Sequence, residues 1–146
     1  FAHGFTYSGH PISCAAGLKN IEIMERDDIC GYVRDVGPYL EEQLASLLEH
    51  PIVGDVRGSH FMMCIENVAD KETKALLPTE AAIGNRIAAH CQSRGVIVRP
   101  IAHLNVLSPP LILTRQQIDT MVEVLHDSIR AAQDDLIREG IWRSAR

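Results

Sequence analysis

Apolar positions along the chain fall into long stretches with a helical period and short strand-like runs. After Pro11, a favourable first-turn residue, Ala15, Leu18, Ile21 and Met24 follow at helical spacing up to the acidic pair Asp27 and Asp28, which predicts one helix. A second amphipathic stretch places Ile29, Val33, Leu40, Leu44, Leu47 and Leu48 on one face. Gly37-Pro38 within it should bend or restart the helix, and His50-Pro51 should end it. Residues 52 to 58 and 61 to 65 are short and rich in strand formers, with a Gly-Ser turn signal between them, so they read as a hairpin-like pair.

From Asn67 to Pro78 the chain is polar and aperiodic and reads as an exposed loop, leading to a helix capped by Thr79 that carries Ile83, Ile87 and Cys91 and closes at Gly95. Two further strands are predicted: Val96 to Arg99, and, after a turn near Ala102-His103, Leu104 to Ser108, which Pro109-Pro110 would terminate. Thr114 with Gln117 forms a capping-box pattern ahead of Ile118, Val122, Leu125, Ile129 and Leu136, so a final helix should run to about Glu139. Trp142 could dock the tail. This order implies an α+β fold, a short mainly antiparallel sheet with helices packed on one face. No internal repeat or low-complexity tract interrupts it.

Length and charge narrow the function classes. The 146 residues, 46% of them hydrophobic, suffice for one buried core. The net charge of −5 and the scattering of the 14 Lys and Arg argue against a nucleic-acid backbone as partner. Apolar runs such as Phe61 to Ile65 fall far short of the roughly 20 residues of a membrane helix. Cys14, Cys30, Cys64 and Cys91 lie apart, without C-x-x-C or zinc-finger spacing, and read as buried thiols of a cytoplasmic protein.

Candidate chemistry concentrates in HGFTYSGHP, residues 3 to 11, where hydroxyls, imidazoles and glycines precede a helix N-terminus that would favour an anion. The same residues could equally form a tight turn, with Ser8 or Ser13 capping the helix. His3 and His10 lack a third metal ligand at a useful spacing, so no metal site is assigned. Arg99, at the expected end of a strand, could grip a carboxylate bidentately or sit as a solvated or locally paired charge. Arg57, ending another strand beside Gly58, reads more readily as a bracing arginine.

HGFTYSGHP followed by Cys14-Ala15-Ala16 resembles the segment after the cofactor lysine in class III aminotransferases, pyridoxal-phosphate enzymes of fold type I. PIVGDVRG at 51 to 58, GVIVRP at 95 to 100 and LSPPLILTRQQID at 107 to 119 resemble further motifs of that family in the same order. The TYSGHP form is most similar to the pyruvate-dependent omega-transaminases acting on diamines, β-alanine or taurine. Ornithine, 4-aminobutyrate or diaminopelargonate types, and a noncatalytic structural or interaction module, are the alternatives.

The resemblance implies a division of the chain into residues 1–13, the end of the large cofactor domain, and residues 14–146, a long linking helix and the small C-terminal domain. It implies that Thr6, with Phe5 beside it, holds the cofactor phosphate of the other subunit of a homodimer, and that Arg99 binds the substrate carboxylate and swings aside for amines that lack one. It also implies that the covalent lysine, the acidic partner of the ring nitrogen and the stacking aromatic precede this chain, since Lys19, Lys71 and Lys74 are not in the lysine's motif, and that the chain alone is inactive. His60 departs from the family pattern, which has a small residue at that point of the turn.

Overall fold

A computed structural model describes residues 3–143; residues 1–2 and 144–146, at the outer edges of the two expected divisions, lie outside the described residues. Helix α1 spans Pro11–Arg26 as its periodicity predicts, yet none of its residues is buried: Leu18 and Ile21, on the expected apolar face, are 70% and 53% exposed. Its N-cap is neither serine. His10 accepts from the Ser13 backbone N–H at 3.4 Å, while the Ser8 hydroxyl accepts from Phe5 N–H at 3.1 Å.

Helix α2 runs without a break over Ile29–Ala45, straight through Pro38, and continues as a 3₁₀ turn over Ser46–Glu49 that ends at His50. An interior proline costs about 3 kcal/mol. Fully burying Val36, Leu40 and Leu44 from this one helix returns about 1.5–3 kcal/mol for each, so packing carries the helix through without the restart that Gly37-Pro38 could have imposed. Gly37 has its own reason to be small. A Cβ there would lie 2.5 Å from the ring of His60.

Strands β1 (Val53–Ser59) and β2 (Met62–Asn67) form the expected hairpin, with an irregularity between Val53 and Asp55. Its turn falls at His60-Phe61, where His60 takes the left-handed φ of 52°. Glu41 of α2 holds that turn: its Oε1 accepts the His60 N–H at 2.5 Å and lies 3.2 Å from the ring Nδ1. The unusual histidine is therefore accommodated by a cavity that Gly37 leaves and by a carboxylate one helical turn further on.

The segment after β2 is polar but not free. Asn67 and Val68 are buried, Lys74 Nζ donates to Gly54 O at 2.7 Å, Lys71 Nζ donates to Leu48 O, and Leu77 joins the core. Thr79 opens a short 3₁₀ turn, Thr79–Ala81, rather than capping a helix; Ala82 then adopts φ 44° and α3 (Ile83–Ser93) starts with no side-chain cap. The local driver is burial of Ala81, whose carbonyl accepts from Arg86 Nε at 2.7 Å. Gly95 ends the helix at φ 85°, as its position predicts.

The next strand is shifted from its expected place. β3 covers Arg99–Ile101 and so begins, rather than ends, at Arg99; Val96–Val98 lead into it unpaired. β3 pairs antiparallel with β4 (Leu104–Leu107), and the sheet order is β1-β2-β4-β3. Pro100 is tolerated because β3 is an edge strand, where no outer ladder needs its missing N–H. After Pro109-Pro110 the chain turns at Leu111-Ile112. α4 (Arg115–Arg138) carries the predicted capping box, Thr114 Oγ1 accepting from Gln117 N–H at 3.3 Å and Gln117 Oε1 accepting from Thr114 N–H at 2.9 Å.

The outcome is the expected α+β arrangement, an antiparallel sheet with α2, α3 and α4 on one face. Ile65, Leu107, Leu40, Ile87, Leu125 and Ile129 meet in its core, and Trp142 docks the tail by donating Nε1–H to Ala69 O at 2.8 Å. The thiols depart from expectation: Cys91 is buried, but Cys64 is half-buried and Cys14 and Cys30 are exposed, the last two because α1 and the start of α2 lie outside the core.

The contact between Gly37 and His60 can be tested directly. Gly37→Ala should destabilise the fold by about 1–3 kcal/mol by overpacking, and adding His60→Gly should recover most of that loss. Urea unfolding of the two single variants and the double variant measures the coupling; strictly additive effects would show that the two residues do not share the space.

Candidate functional site

Antiparallel register sets a row of residues across the sheet. Arg57 of β1 pairs with Cys64 of β2, Cys64 with Val106 of β4, and Val106 with Arg99 of β3. Residues directly opposite one another share a face, and the buried partners Ile65 and Asn105 occupy the other. Arg57 and Arg99 thus stand on the face away from the helices, three strand spacings or about 14 Å apart.

Their surroundings differ. Arg57 Nη1 donates to Glu66 Oε2 at 2.5 Å and to Asp55 Oδ2 at 3.1 Å, so its charge is matched. Its hydrogen bond holds the Glu66 carboxyl below the usual carboxylate range, with the His103 ring 3.3 Å from the second oxygen of Glu66. Burial pushes the Cys64 thiol up despite the nearby guanidinium, which argues against a thiolate nucleophile. Arg99, by contrast, is exposed and has no ion-pair or hydrogen-bond partner among the described residues.

Arg99 lies on the wall of an open groove of about 950 Å³. Val96, Val98 and Pro100 form one side and Leu113 and Met121 the other, with Gln116, Gln117 and Thr120 from the first turns of α4 at its edge. Two long-range bonds from α2 hold the second side in place. Tyr32 Oη donates to Leu113 O at 3.0 Å, and Tyr39 Oη donates to Asp119 Oδ1 at 2.5 Å with Arg115 stacked 4.9 Å over its ring. The β3–β4 turn is fastened separately: Asn67 Nδ2 donates to His103 O at 2.7 Å and to Asn105 Oδ1 at 2.9 Å, and Asn105 Nδ2 donates to Gly84 O at 2.9 Å. An apolar groove with a cation on its wall suits a small molecule bearing a carboxylate on an alkyl body.

The other sequence-predicted residues lie elsewhere. Thr6 and Phe5 are exposed in the turn before α1 and do not line the groove. Ser8 N–H donates to Phe5 O at 3.0 Å and His10 N–H to Tyr7 O at 3.2 Å. With the Ser8 hydroxyl engaged by Phe5 N–H, the Thr6 hydroxyl and the Thr6 N–H are without a partner among the described residues. This donor set fits phosphate oxygens, the group that a fold type I cofactor would present.

The histidines that do converge, His50 and His126, are 76 positions apart and carry no sequence signal of their meeting. Glu66 was also missed as the partner of Arg57. Only the strand register brings that pair together, although an acidic residue at strand spacing from Cys64 was visible in principle.

Comparison with known proteins gives a consistent picture. The family model Aminotransferase class-III matches residues 1–129. An uncharacterized aminotransferase of Sinorhizobium fredii, y4uB, is 38% identical over 143 residues, and a probable gamma-aminobutyrate transaminase 4 of Oryza sativa is 37% identical over 135. These alignments take in 96% and 92% of this chain but 31% and 28% of the relatives, so the chain spans less than a third of their length. The omega-transferase of Vibrio fluvialis JS17 superposes with a TM-score of 0.88 at 37% identity, over 94% of this chain and 33% of its own. A PMP-bound aminotransferase from Vibrio fluvialis gives 0.87 at 38%, over 92% and 30%.

The Arg57–Glu66 pair makes a pH-dependent contribution whose sign follows from its cause. A carboxyl held below its ordinary value stabilises the fold above the unfolded value, near 4.3, and that stabilisation is lost as pH falls through the folded value. Glu66→Gln should therefore lower stability at pH 7 by at most about 1 kcal/mol, because Arg57 is half exposed, and the difference should shrink as the pH is taken below the ordinary carboxylate range, toward pH 3. Urea midpoints of both proteins at the two pH values measure it.

Proposed function

The chain belongs to the class-III aminotransferase family, and from that premise we propose that it forms the C-terminal part of a pyridoxal-phosphate enzyme moving an amino group from an amine, diamine or ω-amino acid to pyruvate or a similar keto acid. The observation that carries the proposal is the contrast within one row of the sheet. Arg57 is neutralised by Glu66 and Asp55, while Arg99 stands without a partner among the described residues on the wall of an apolar groove. An exposed guanidinium with no internal partner beside an apolar wall is available to grip an incoming carboxylate bidentately.

In this reading Arg99 grips the carboxylate of the keto acid, orienting its carbonyl, and turns outward when the donor is an amine without a carboxylate. Its place at the start of an edge strand, with the side chain exposed and without an internal partner among the described residues, supports such freedom. The apolar groove wall receives the alkyl body and excludes water from it. Thr6, through hydroxyl and backbone N–H, holds the cofactor phosphate, with Phe5 beside it. When bound, pyridoxal phosphate supplies the carbonyl that receives the amino group and the ring that withdraws electrons from the reacting carbon.

Residues 1–13 are proposed to belong structurally with the cofactor-holding domain, and residues 14–146 to form the linking helix and small domain. The absence of any buried residue from α1, together with the distinct locations of Thr6 and the groove, supports this division and a homodimer in which Thr6 serves the other subunit. The covalent lysine and the acidic partner of the ring nitrogen would then come from outside this chain, which alone would be inactive. Two exposed free thiols, Cys14 and Cys30, suit a reducing compartment and support a cytoplasmic enzyme. The rice relatives are named gamma-aminobutyrate transaminases, which favours an ω-amino acid among the possible donors.

Steady-state kinetics of the full-length enzyme test the reading. Arg99→Ala should raise KM for pyruvate by about 10- to 100-fold, the worth of a charged hydrogen-bonded pair, while KM for an amine donor without a carboxylate changes little. Equal effects on both, or no turnover with pyruvate, would overturn the acceptor assignment.

Cofactor retention provides a separate check on the turn before α1. Thr6→Ala should lose cofactor absorbance on gel filtration faster than the unaltered protein. Unchanged retention would remove Thr6 from the phosphate site.

A further inference from the structure

The end of α2 and the middle of α4 bring together Glu49, His50 and His126, whose ligand-type atoms all lie within 4.8 Å of one another. His50 Nε2 is 2.8 Å from His126 Nδ1, and Glu49 Oε1 is 3.3 Å from the same Nδ1. The site differs from a bare surface cluster, because a hydrogen bond orients the His126 ring from behind and His50 is buried. The Ser46 hydroxyl spends its only hydrogen on Gln43 O at 2.6 Å. It can therefore only accept from His126 Nε2, 2.9 Å away, so that nitrogen carries a proton. In the neutral ring, Nδ1 then turns a lone pair toward both the Glu49 carboxylate and His50.

His50 has a similar bias. Its residue is buried, and Gln133 on α4, whose Oε1 is buried without a hydrogen-bond partner, lies near enough to act on the ring. With Nε2 facing His126, a proton on Nδ1 is the one that this free oxygen can receive. That arrangement also directs the His50 Nε2 lone pair inward. Two imidazole nitrogens and a carboxylate oxygen thus face one another across a few ångströms, an arrangement that a positive species between them would stabilise.

We propose that Glu49, His50 and His126 form a binding site for a divalent transition-metal ion of the Zn²⁺ class that fastens the end of α2 to α4. Two imidazoles and one carboxylate suit a borderline ion. Tetrahedral ligation at about 2.0–2.1 Å puts ligand atoms about 3.4 Å apart. The Glu49–His126 spacing of 3.3 Å already meets this, the imidazole pair must open from 2.8 Å, and the exposed Glu49 side chain can bring its oxygen, within 4.8 Å of both rings, to the same spacing from His50. Ser46 supplies His126 with the kind of outer hydrogen bond that orients metal-binding histidines, and the buried Gln133 Oε1 is an unused acceptor on the His50 side. The Glu49 side chain, 66% exposed, gives the ion a path in and leaves one position for water. Arg130, the nearby opposing charge, is engaged with Asp127 at 3.3 Å.

The site is independent of the aminotransferase reading, and its test does not use turnover. The full-length protein, with Cys14→Ser and Cys30→Ser to remove exposed thiols, is stripped with chelator and titrated with Zn²⁺ by calorimetry, with the bound metal counted after dialysis. One Zn²⁺ per chain should bind at this site. Glu49→Gln and His126→Gln should each weaken it by more than about 100-fold, Ser46→Ala by about 10-fold, and His90→Gln, whose ring pairs with Asp135 elsewhere, not at all. If His126→Gln unfolds, Glu49→Gln on its exposed side chain decides. Absence of saturable binding, or binding that survives both ligand substitutions, overturns the proposal; in that event a proton shared by the two imidazoles is the positive species.

Discussion

Everything else in this fold hangs on the apolar seam of α4. Ile118, Leu125, Ile129, Ala132 and Leu136 are fully buried along it, and they pack against α2 and α3 beneath the sheet. At roughly 1.5–3 kcal/mol for each large side chain removed from water, this seam is the strongest single contribution to cohesion. It also determines geometry. Because α2 is held against α4, Tyr32 and Tyr39 reach Leu113 and Asp119, and so the segment after Pro110 becomes the far wall of the groove opposite Arg99.

The same seam explains which sequence expectations survived. α4 was legible because its capping box and its periodicity are local and agree with its packing. α2 was legible in extent but not at Pro38, because the cost of that residue is local while the compensation, burial of Val36, Leu40 and Leu44, is tertiary. Thr79 failed as a cap for a related reason: burial of Ala81 and the left-handed turn at Ala82 displaced the helix start by several residues. β3 shifted because strand identity at an edge depends on the partner β4, whose pairing with Arg99–Ile101 has no mark within residues 96 to 101 themselves.

For the candidate site, family resemblance pointed to Thr6, Phe5 and Arg99, while residue types alone left each of them open between a chemical and an ordinary role. The structure adds surroundings that a linear pattern does not contain. His60, the one departure from the family's turn, proves to be matched by Gly37 and Glu41 on a helix about 20 positions earlier. The meeting of His50 and His126 has the same character, since neither the spacing nor the neighbours of either residue announce the other.

The contrast between Arg57 and Arg99 shows how a sheet can give one residue type two opposite roles. Both emerge from the same face in the same row, so exposure and intrinsic chemistry do not separate them. What separates them is the next row. There Asp55 and Glu66 stand beside Arg57, whereas Leu104 and Ile101 stand beside Arg99. Carboxylates two residues away along β1 and β2 satisfy the first guanidinium internally; apolar neighbours on β4 and β3 leave the second to whatever anion enters the groove. The helix-covered face supplies the cohesion that keeps this register, and the register in turn decides which charge is available for binding.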